Sequence, residues 1–353
     1  MSTPTLDERL IEATTGTLEL FGVYLGTRLG LYRALTQRGR LTAAELAETA
    51  GIHPRYAREW LEQQAVAGLV AVDDPARPAD TRRYRLPADH AGVLVDPEDP
   101  AHVAPFADMV VGIARVLDQV LAAYRDGSGV AYAHYGADFR RGQGGINRPA
   151  FHIDLTGSWL PAAADVHTRL TQPGVRIADV GCGHGWSTIA MARAYPDAEV
   201  IGYDTDAASV AEAAEHAEAA AVPARFVQAD AASLSADGPF DAVVMLEALH
   251  DIARPVEALA SCRKALATDG TMIVVDENVA PRFTAPGDLT ERLMYGWSIS
   301  HCLPAALAER PSAGLGTVLR ADAVRELATT AGFGSVEVVD VDAGFFRVYR
   351  LEG

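Results

Sequence analysis

Apolar positions recur along the chain at two spacings, and the change falls near residue 175. Before it, Leu10, Ile11, Leu18, Phe21, Leu25 and Leu29 lie near helical spacing, which predicts a helix over residues 7–37. In LTAAELAETAGIHPRYAREWLEQQAVAGLVAVDD, Thr42 and Glu45 have the form of a capping box. Gly51 stops that helix, Pro54 opens the next, and Gly68 closes it. LVAV and RRYRLP then read as two short strands around a Pro/Asp-rich turn. Helix, turn, helix and a two-stranded wing predict a winged helix. Residues 101–170 read as helical. HVAPFADMVVGIARVLDQVLAAY carries Asp108, Arg115 and Asp118, too polar for a bilayer span and suited to a buried helix. GADFRRGQGGINRP, with its glycines and polar groups, reads as a loop near a domain junction.

From Val175 onward short apolar runs alternate with helical stretches. VRIADV, AEVIGY, ARFVQA, FDAVVML and TMIVVDE have the uninterrupted apolar character of strands buried on both faces of a parallel sheet. After a predicted helix over 320–332, SVEVVDV and FFRVYRL are close enough to form an antiparallel hairpin. The pattern predicts an α/β fold with a seven-stranded, Rossmann-like sheet behind an N-terminal helical winged-helix domain. We divide it as 1–100 for the winged helix, 101–160 for a helical connector, and 161–353 for the domain of the sheet.

Charge changes the reading of the winged helix. Residues 1–100 hold 11 arginines and no lysine against 15 Asp plus Glu, a net of −4. The would-be recognition helix carries Arg55 and Arg58 but also Glu59 and Glu62. A DNA-reading face is expected to be net basic, and the whole chain has a net charge of −17. No nucleic acid and no membrane partner is expected, and the helical module is assigned to homodimer packing. A ligand-sensing DNA-binding regulator is the alternative from a different class. Cys182, Cys262 and Cys302 are scattered, so neither a disulfide framework nor a metal site is expected. The polar, acidic MSTPTLDERL does not resemble a secretory signal, and a cytoplasmic location is expected. Lys264, the one lysine, falls on a predicted surface helix and is discounted.

The chemistry concentrates in DVGCGHGWSTIAMARAYPDAEVIGYDTD. Glycine permits a turn with φ > 0 and lets a ligand approach bare backbone. Gly181, Gly183 and Gly185 alternate, whereas a dinucleotide fingerprint needs G-x-G-x-x-G; the sixth positions here are Trp186 or Thr188. D-V-G-C-G-H-G instead resembles the first motif of class I S-adenosylmethionine-dependent methyltransferases. That resemblance implies S-adenosyl-L-methionine as cofactor, with the turn from Asp179 through Gly181, Gly183 and Gly185 wrapping its methionine part. It assigns Asp204 to the ribose hydroxyls and Asp230 to the adenine amino group, although a plain helix cap also fits Asp230. Over the whole chain, the winged helix, the connector and the segments NRPAF, SWLP and ERLMYGWSISHCLP resemble actinobacterial winged-helix small-molecule methyltransferases. Plant and bacterial O-methyltransferases are more distantly similar. In such relatives the N-terminal domain makes a dimer and helps cover the substrate.

Residues just past a parallel strand's carboxyl end face the ligand crevice. His250 and Asp251, in EALHDIARP, fall there. LHD resembles the O-methyltransferase motif whose histidine is the general base, a role that suits a group titrating near neutrality. Ile252 stands where that motif has tryptophan. Glu277 is assigned the orienting acid, with Asp276 the competing candidate. A rim histidine that merely caps a helix is the plainer reading. The long insert after TMIVVDE is expected to be functional or a lid, and Met294, Trp297 and His301, with Tyr295, are candidates for the acceptor pocket. The reading is methyl transfer to a small-molecule acceptor, through a hydroxyl and in secondary metabolism. N- or C-methylation, or a non-methylating reaction on the same cofactor site, is the alternative within enzymes.

Overall fold

The computed structural model describes residues 4–353. They fold as two compact units, residues 4–112 with 141–149, and residues 113–140 with 150–353.

In the first unit, helices α1 (Leu6–Arg28), α2 (Leu31–Arg38), α3 (Ala43–Ala50) and α4 (Pro54–Val66) precede a minimal wing of β1 (Ala71–Val72) and β2 (Tyr84–Arg85). The predicted helix over 7–37 is broken in two, because Gly30 adopts φ 68°. The local signals act as read. Thr42 and Glu45 close a capping box, Gly51 ends α3 in the left-handed region, and Pro54 starts α4. Leu31, Leu35, Leu46, Leu61, Trp60 and Tyr84 make the core. The cations of α4 are neutralised in place. Arg55 pairs with Glu59, Arg58 with Glu62 at 3.1 Å, and Arg82 of the wing with Glu62 at 2.8 Å. By contrast α1 leaves Leu6, Leu10, Ile11 and Leu18 each at least 60% exposed.

The second unit contains a seven-stranded sheet. Its strands are β3 (Arg176–Val180), β4 (Glu199–Asp204), β5 (Arg225–Gln228), β6 (Phe240–Leu246), β7 (Leu266–Glu277), β8 (Ser335–Val338) and β9 (Phe346–Glu352), in the spatial order β5-β4-β3-β6-β7-β9-β8. Pairing is parallel from β5 to β7, while β9 runs antiparallel to both β7 and β8. Alternation along each strand feeds two cores, as the two-residue pleat requires. Ala178, Val180, Val243 and Met245 face one side, and Ile177, Ala242, Val244 and Leu246 the other. The strand order reverses at β3, flanked by β4 and β6. A crevice outside the carboxyl ends at such a reversal is where open α/β sheets bind ligands.

One sequence expectation fails here. GADFRRGQGGINRP is not a loop but most of the helix Gly136–Ala150, which continues into a π-helical stretch, Phe151–Trp159. Its glycines serve packing: a Cβ on Gly142 would lie 2.7 Å from the Met109 side chain and 2.8 Å from the Pro105 carbonyl. The insert after β7 is helical too, as Leu289–Trp297, a π-helical Ser298–Cys302 and Leu303–Leu307.

Candidate active site

The glycine turn stands at the carboxyl end of β3. Gly181, Gly183 and Gly185 all have positive φ, 76°, 49° and 78°, a region that side chains other than glycine's enter at a cost. Gly181 and Cys182 donate their N–H groups to the Tyr203 carbonyl, which pins the turn to β4. A Cβ on Gly183 would meet nothing within 4 Å, whereas one on Gly181 would lie 2.5 Å from the Ala248 Cβ. Gly183 therefore offers bare backbone to open space, and Gly181 is required by close approach. Beneath the turn, Ser187 and Thr188 each donate a hydroxyl at 2.6 Å to Asp179 Oδ2, while Oδ1 has no partner. Burial pushes the Asp179 carboxyl up to about 6, against those two hydrogen bonds.

Asp204 ends β4. Its carboxylate accepts the N–H of Gly183 at 2.8 Å on one oxygen and that of Asp206 at 2.8 Å on the other. Burial raises its pKa despite these bonds. Each oxygen keeps a second lone pair, so two vicinal hydroxyls can still be received. Asp230 follows β5 as a cap: Oδ1 accepts from the Ala232 N–H at 2.8 Å, and Oδ2 pairs with Arg254 at 3.1 Å.

His250 sits in the short turn Leu249–Asp251 after β6, and only 3% of it is exposed. Its Nδ1 lies 2.8 Å from Asp276 Oδ1 and 3.3 Å from Glu277 Oε2. A carboxylate only accepts, so Nδ1 carries the proton. Nε2 lies 3.6 Å from Asp251 Oδ1, and a His250 ring nitrogen, an Asp251 carboxylate oxygen and the Cys302 sulfur all lie within 4.8 Å of one another. Burial alone would lower the imidazole's pKa, but the charges of Asp276, Glu277 and Asp251 outweigh it and hold the ring well above the usual histidine value. Asp276 moves the other way: burial pushes it up, and the charge of His250 pulls it below the ordinary carboxylate range. Glu277 is raised by burial and by the neighbouring Glu247.

Aromatic residues close this region within the same unit. His301 stacks on Phe139 with centroids 4.0 Å apart and meets Tyr135 edge-on at 4.5 Å and Tyr132 at 5.8 Å. Burial, helped by the charge of His250, pushes His301 down to about 3, so it is neutral. Tyr132 is half-buried, and desolvation with the charges of Asp204, Asp206 and Asp251 raises its hydroxyl well above the usual tyrosine value. Arg140 reaches Asp206 at 3.7 Å. Of the acceptor-pocket candidates, the structure thus brings His301 near His250. Met294 is buried and Trp297 half-buried on the helix leading to the π-turn, while Tyr295 is 38% exposed.

The sequence reading missed Glu247, Tyr132, Arg140 and Cys302. Glu247 left one local trace, three residues before His250 in EALHD. The others left none, because strand order and the π-turn bring them in. The donor set fits S-adenosylmethionine: an open glycine cradle, an acid with free lone pairs ending the second strand, and Asp179 Oδ1 without a partner. Beside the cradle, a buried histidine with one nitrogen held by a carboxylate can take a proton at the other.

Comparison with known proteins agrees with this geometry. Residues 177–270 match the family described as Methyltransferase domain, and residues 18–96 match the Rv2258c-like winged HTH domain. The Ubiquinone biosynthesis O-methyltransferase of Cereibacter sphaeroides is 34% identical over 119 residues, 33% of this chain and 47% of that protein. The Demethylmenaquinone methyltransferase of Thermus thermophilus is 32% identical over 134 residues, 38% of this chain and 59% of the relative. This chain spans about half the length of the curated relatives it matches. Solved structures share the fold over nearly the full chain. The mitomycin 7-O-methyltransferase MmcR superposes with TM-score 0.67 at 19% identity, covering 98% and 97% of the two chains. Human N-acetylserotonin methyltransferase in complex with SAM gives 0.67 at 17% identity, covering 100% and 99%. Residues 177–270 thus match a methyltransferase domain, and residues 18–96 before them match a winged helix-turn-helix domain.

Proposed function

We propose that this chain transfers a methyl group from S-adenosyl-L-methionine to a hydroxyl of a small molecule, with His250 as general base. The observation that carries the reading is the closeness of cradle and base: Gly181 touches Ala248, two residues before a buried histidine held by a carboxylate at 2.8 Å. Gly181, Gly183 and Gly185 would hold the cofactor's methionine part, Asp204 its ribose and Asp230 its adenine edge. The bound cofactor supplies an electrophilic methyl on a sulfonium centre. The chain must align the acceptor oxygen with that methyl and exclude water. His250 takes the hydroxyl proton at Nε2 while Asp276, the nearer acid, keeps the ring oriented through Nδ1, with Glu277 behind it. Met294, Trp297 and His301 would bound the acceptor.

The base works only when deprotonated, so the raised pKa of His250 has a sign. Turnover should climb with pH through a value above 6.5 and fall on the acid side. The reading includes a cytoplasmic homodimer joined through the exposed leucine row of α1, serving secondary metabolism. Mass spectrometry of candidate hydroxylated metabolites incubated with cofactor tests it. One methyl gained, with turnover cut about 10²–10⁴-fold in His250→Ala and cofactor affinity kept, is expected. Undiminished turnover in that variant would remove His250 from the chemistry.

A further inference from the structure

Methyl transfer as derived above leaves Asp251 and Cys302 without a task, yet both stand at His250. Nε2 lies 3.6 Å from Asp251 Oδ1. A His250 ring nitrogen, an Asp251 carboxylate oxygen and the Cys302 sulfur are all within 4.8 Å of one another. His250 and Asp251 share the turn after β6, and Cys302 ends the π-helical segment Ser298–Cys302, a feature frequent at functional sites. No spacing in the sequence announces the set, because only the fold carries Cys302 to that turn. His250 is 3% and Cys302 6% exposed, and the thiol is in no disulfide. Asp251 Oδ1 is sealed from solvent and accepts no hydrogen bond. A buried acceptor left without a partner costs stability, so the oxygen has room for an occupant. The rest of the Asp251 side chain keeps 24% of its surface exposed, which gives an ion a way in.

We propose that His250 Nε2, Asp251 Oδ1 and Cys302 Sγ form a site for a divalent cation of the zinc class, and that its occupancy silences the base. Imidazole, carboxylate and thiolate are the ligands zinc takes, and three of them leave its fourth tetrahedral position open. Magnesium and calcium prefer sets of oxygens alone, and the sulfur selects against them. Around zinc such donors stand about 3.3–3.6 Å apart. The nitrogen and oxygen are already at 3.6 Å, and the sulfur has at most about 1.3 Å to close. A second group of three, His250 with Asp276 and Glu277, is the poorer site, because Nδ1 already donates to Asp276 at 2.8 Å. That bond favours the first site instead. A carboxylate on the other ring nitrogen fixes the tautomer and makes the free nitrogen a stronger ligand. On loading, the thiol releases its proton to solvent as the metal–sulfur bond forms, and the Nε2 lone pair goes to the cation. The base uses that same lone pair. The silencing therefore rests on the methyl-transfer reading, whereas the site does not.

The test uses full-length protein treated with a chelator and then titrated with zinc or cobalt ions. Calorimetry should show one zinc per chain. Cobalt should give a thiolate-to-cobalt charge-transfer band in the near ultraviolet, with the intense visible bands of a four-coordinate ion. Cys302→Ala should abolish the charge-transfer band although Cys182 and Cys262 remain. Asp276→Asn, which keeps the hydrogen bond and removes the charge behind Nδ1, should weaken zinc binding by about 10–100-fold. Asp251→Asn, a milder change than loss of the thiol, should keep the band and also weaken zinc. A wild-type spectrum without the charge-transfer band overturns the site. So does a band that persists in Cys302→Ala, or zinc affinity unchanged in Asp251→Asn. With zinc bound, turnover should fall with occupancy and return on chelation, at unchanged cofactor affinity. Full turnover in the zinc-loaded chain would strike His250 as the base and leave the site standing. Failure to find any methyl acceptor would strike the functional reading, and the cobalt spectra would still decide the site.

Discussion

Replacing Asp276 by asparagine changes one charge and little else. Asp276 is fully buried, and two donors converge on its Oδ1: His250 Nδ1 at 2.8 Å and the Glu277 N–H at 3.1 Å. An amide NH₂ placed there would face the backbone N–H, so the asparagine oxygen must keep that position. The hydrogen bond and the ring tautomer therefore survive, and only the ionic attraction is lost. A buried opposite charge at this range shifts a partner by about 1–3 units, equivalent to about 1.4–4 kcal/mol. The His250 pKa should fall by that amount. The acid limb of the pH–rate profile, measured with saturating cofactor across the neutral range, should move to lower pH by the same interval. At a pH below the wild-type limb the variant should be the faster enzyme, although its plateau is lower because a less basic imidazole is a weaker base. An acid limb that stays in place or moves upward would refute the ion pair and the assignment of Asp276 as the orienting acid.

Two further outcomes follow from particular groups. The Asp179 carboxyl is buried and raised from 3.8 to about 6. The folded state thus binds its proton more tightly than the unfolded chain, and stability is full below 3.8 and lost as pH rises through 6, by about 3 kcal/mol. Asp179→Asn should flatten that part of the urea-midpoint profile, and a profile parallel to the wild type would contradict it. On α1, Leu10→Glu with Leu18→Glu should convert a dimer at micromolar concentration to monomer by sedimentation, since each buried leucine contributes about 1.5–3 kcal/mol; a wild type already monomeric would dismiss the interface.

Local chemistry was legible in the sequence, and contacts between distant segments were not. The capping box at Thr42, the stop at Gly51 and the start at Pro54 depend on neighbours within a few residues, and they act as the residues indicate. The central strands were legible because they are apolar on both faces, and the alternating glycines because their three φ angles are all positive. The helix Gly136–Ala150 was not, because Gly142 resembles a loop glycine until Met109 and Pro105 are seen against it. For His250 the sequence left two acids open. The β7 backbone places Asp276 Oδ1 2.8 Å and Glu277 Oε2 3.3 Å from Nδ1.

We propose that the turn Gly181–Gly185 and Asp204 form an S-adenosylmethionine site and not a dinucleotide site. Calorimetric titration of the intact protein with S-adenosylmethionine, and separately with NAD, tests it most directly. Saturable binding of S-adenosylmethionine is expected, at one per chain, with no NAD heat. Asp204→Ala, which removes the acceptor of the ribose hydroxyls, should weaken it by about 1–3 kcal/mol, or roughly 5–150-fold. Tight NAD binding with no heat from S-adenosylmethionine, or an Asp204→Ala variant with wild-type affinity, would rule out this site.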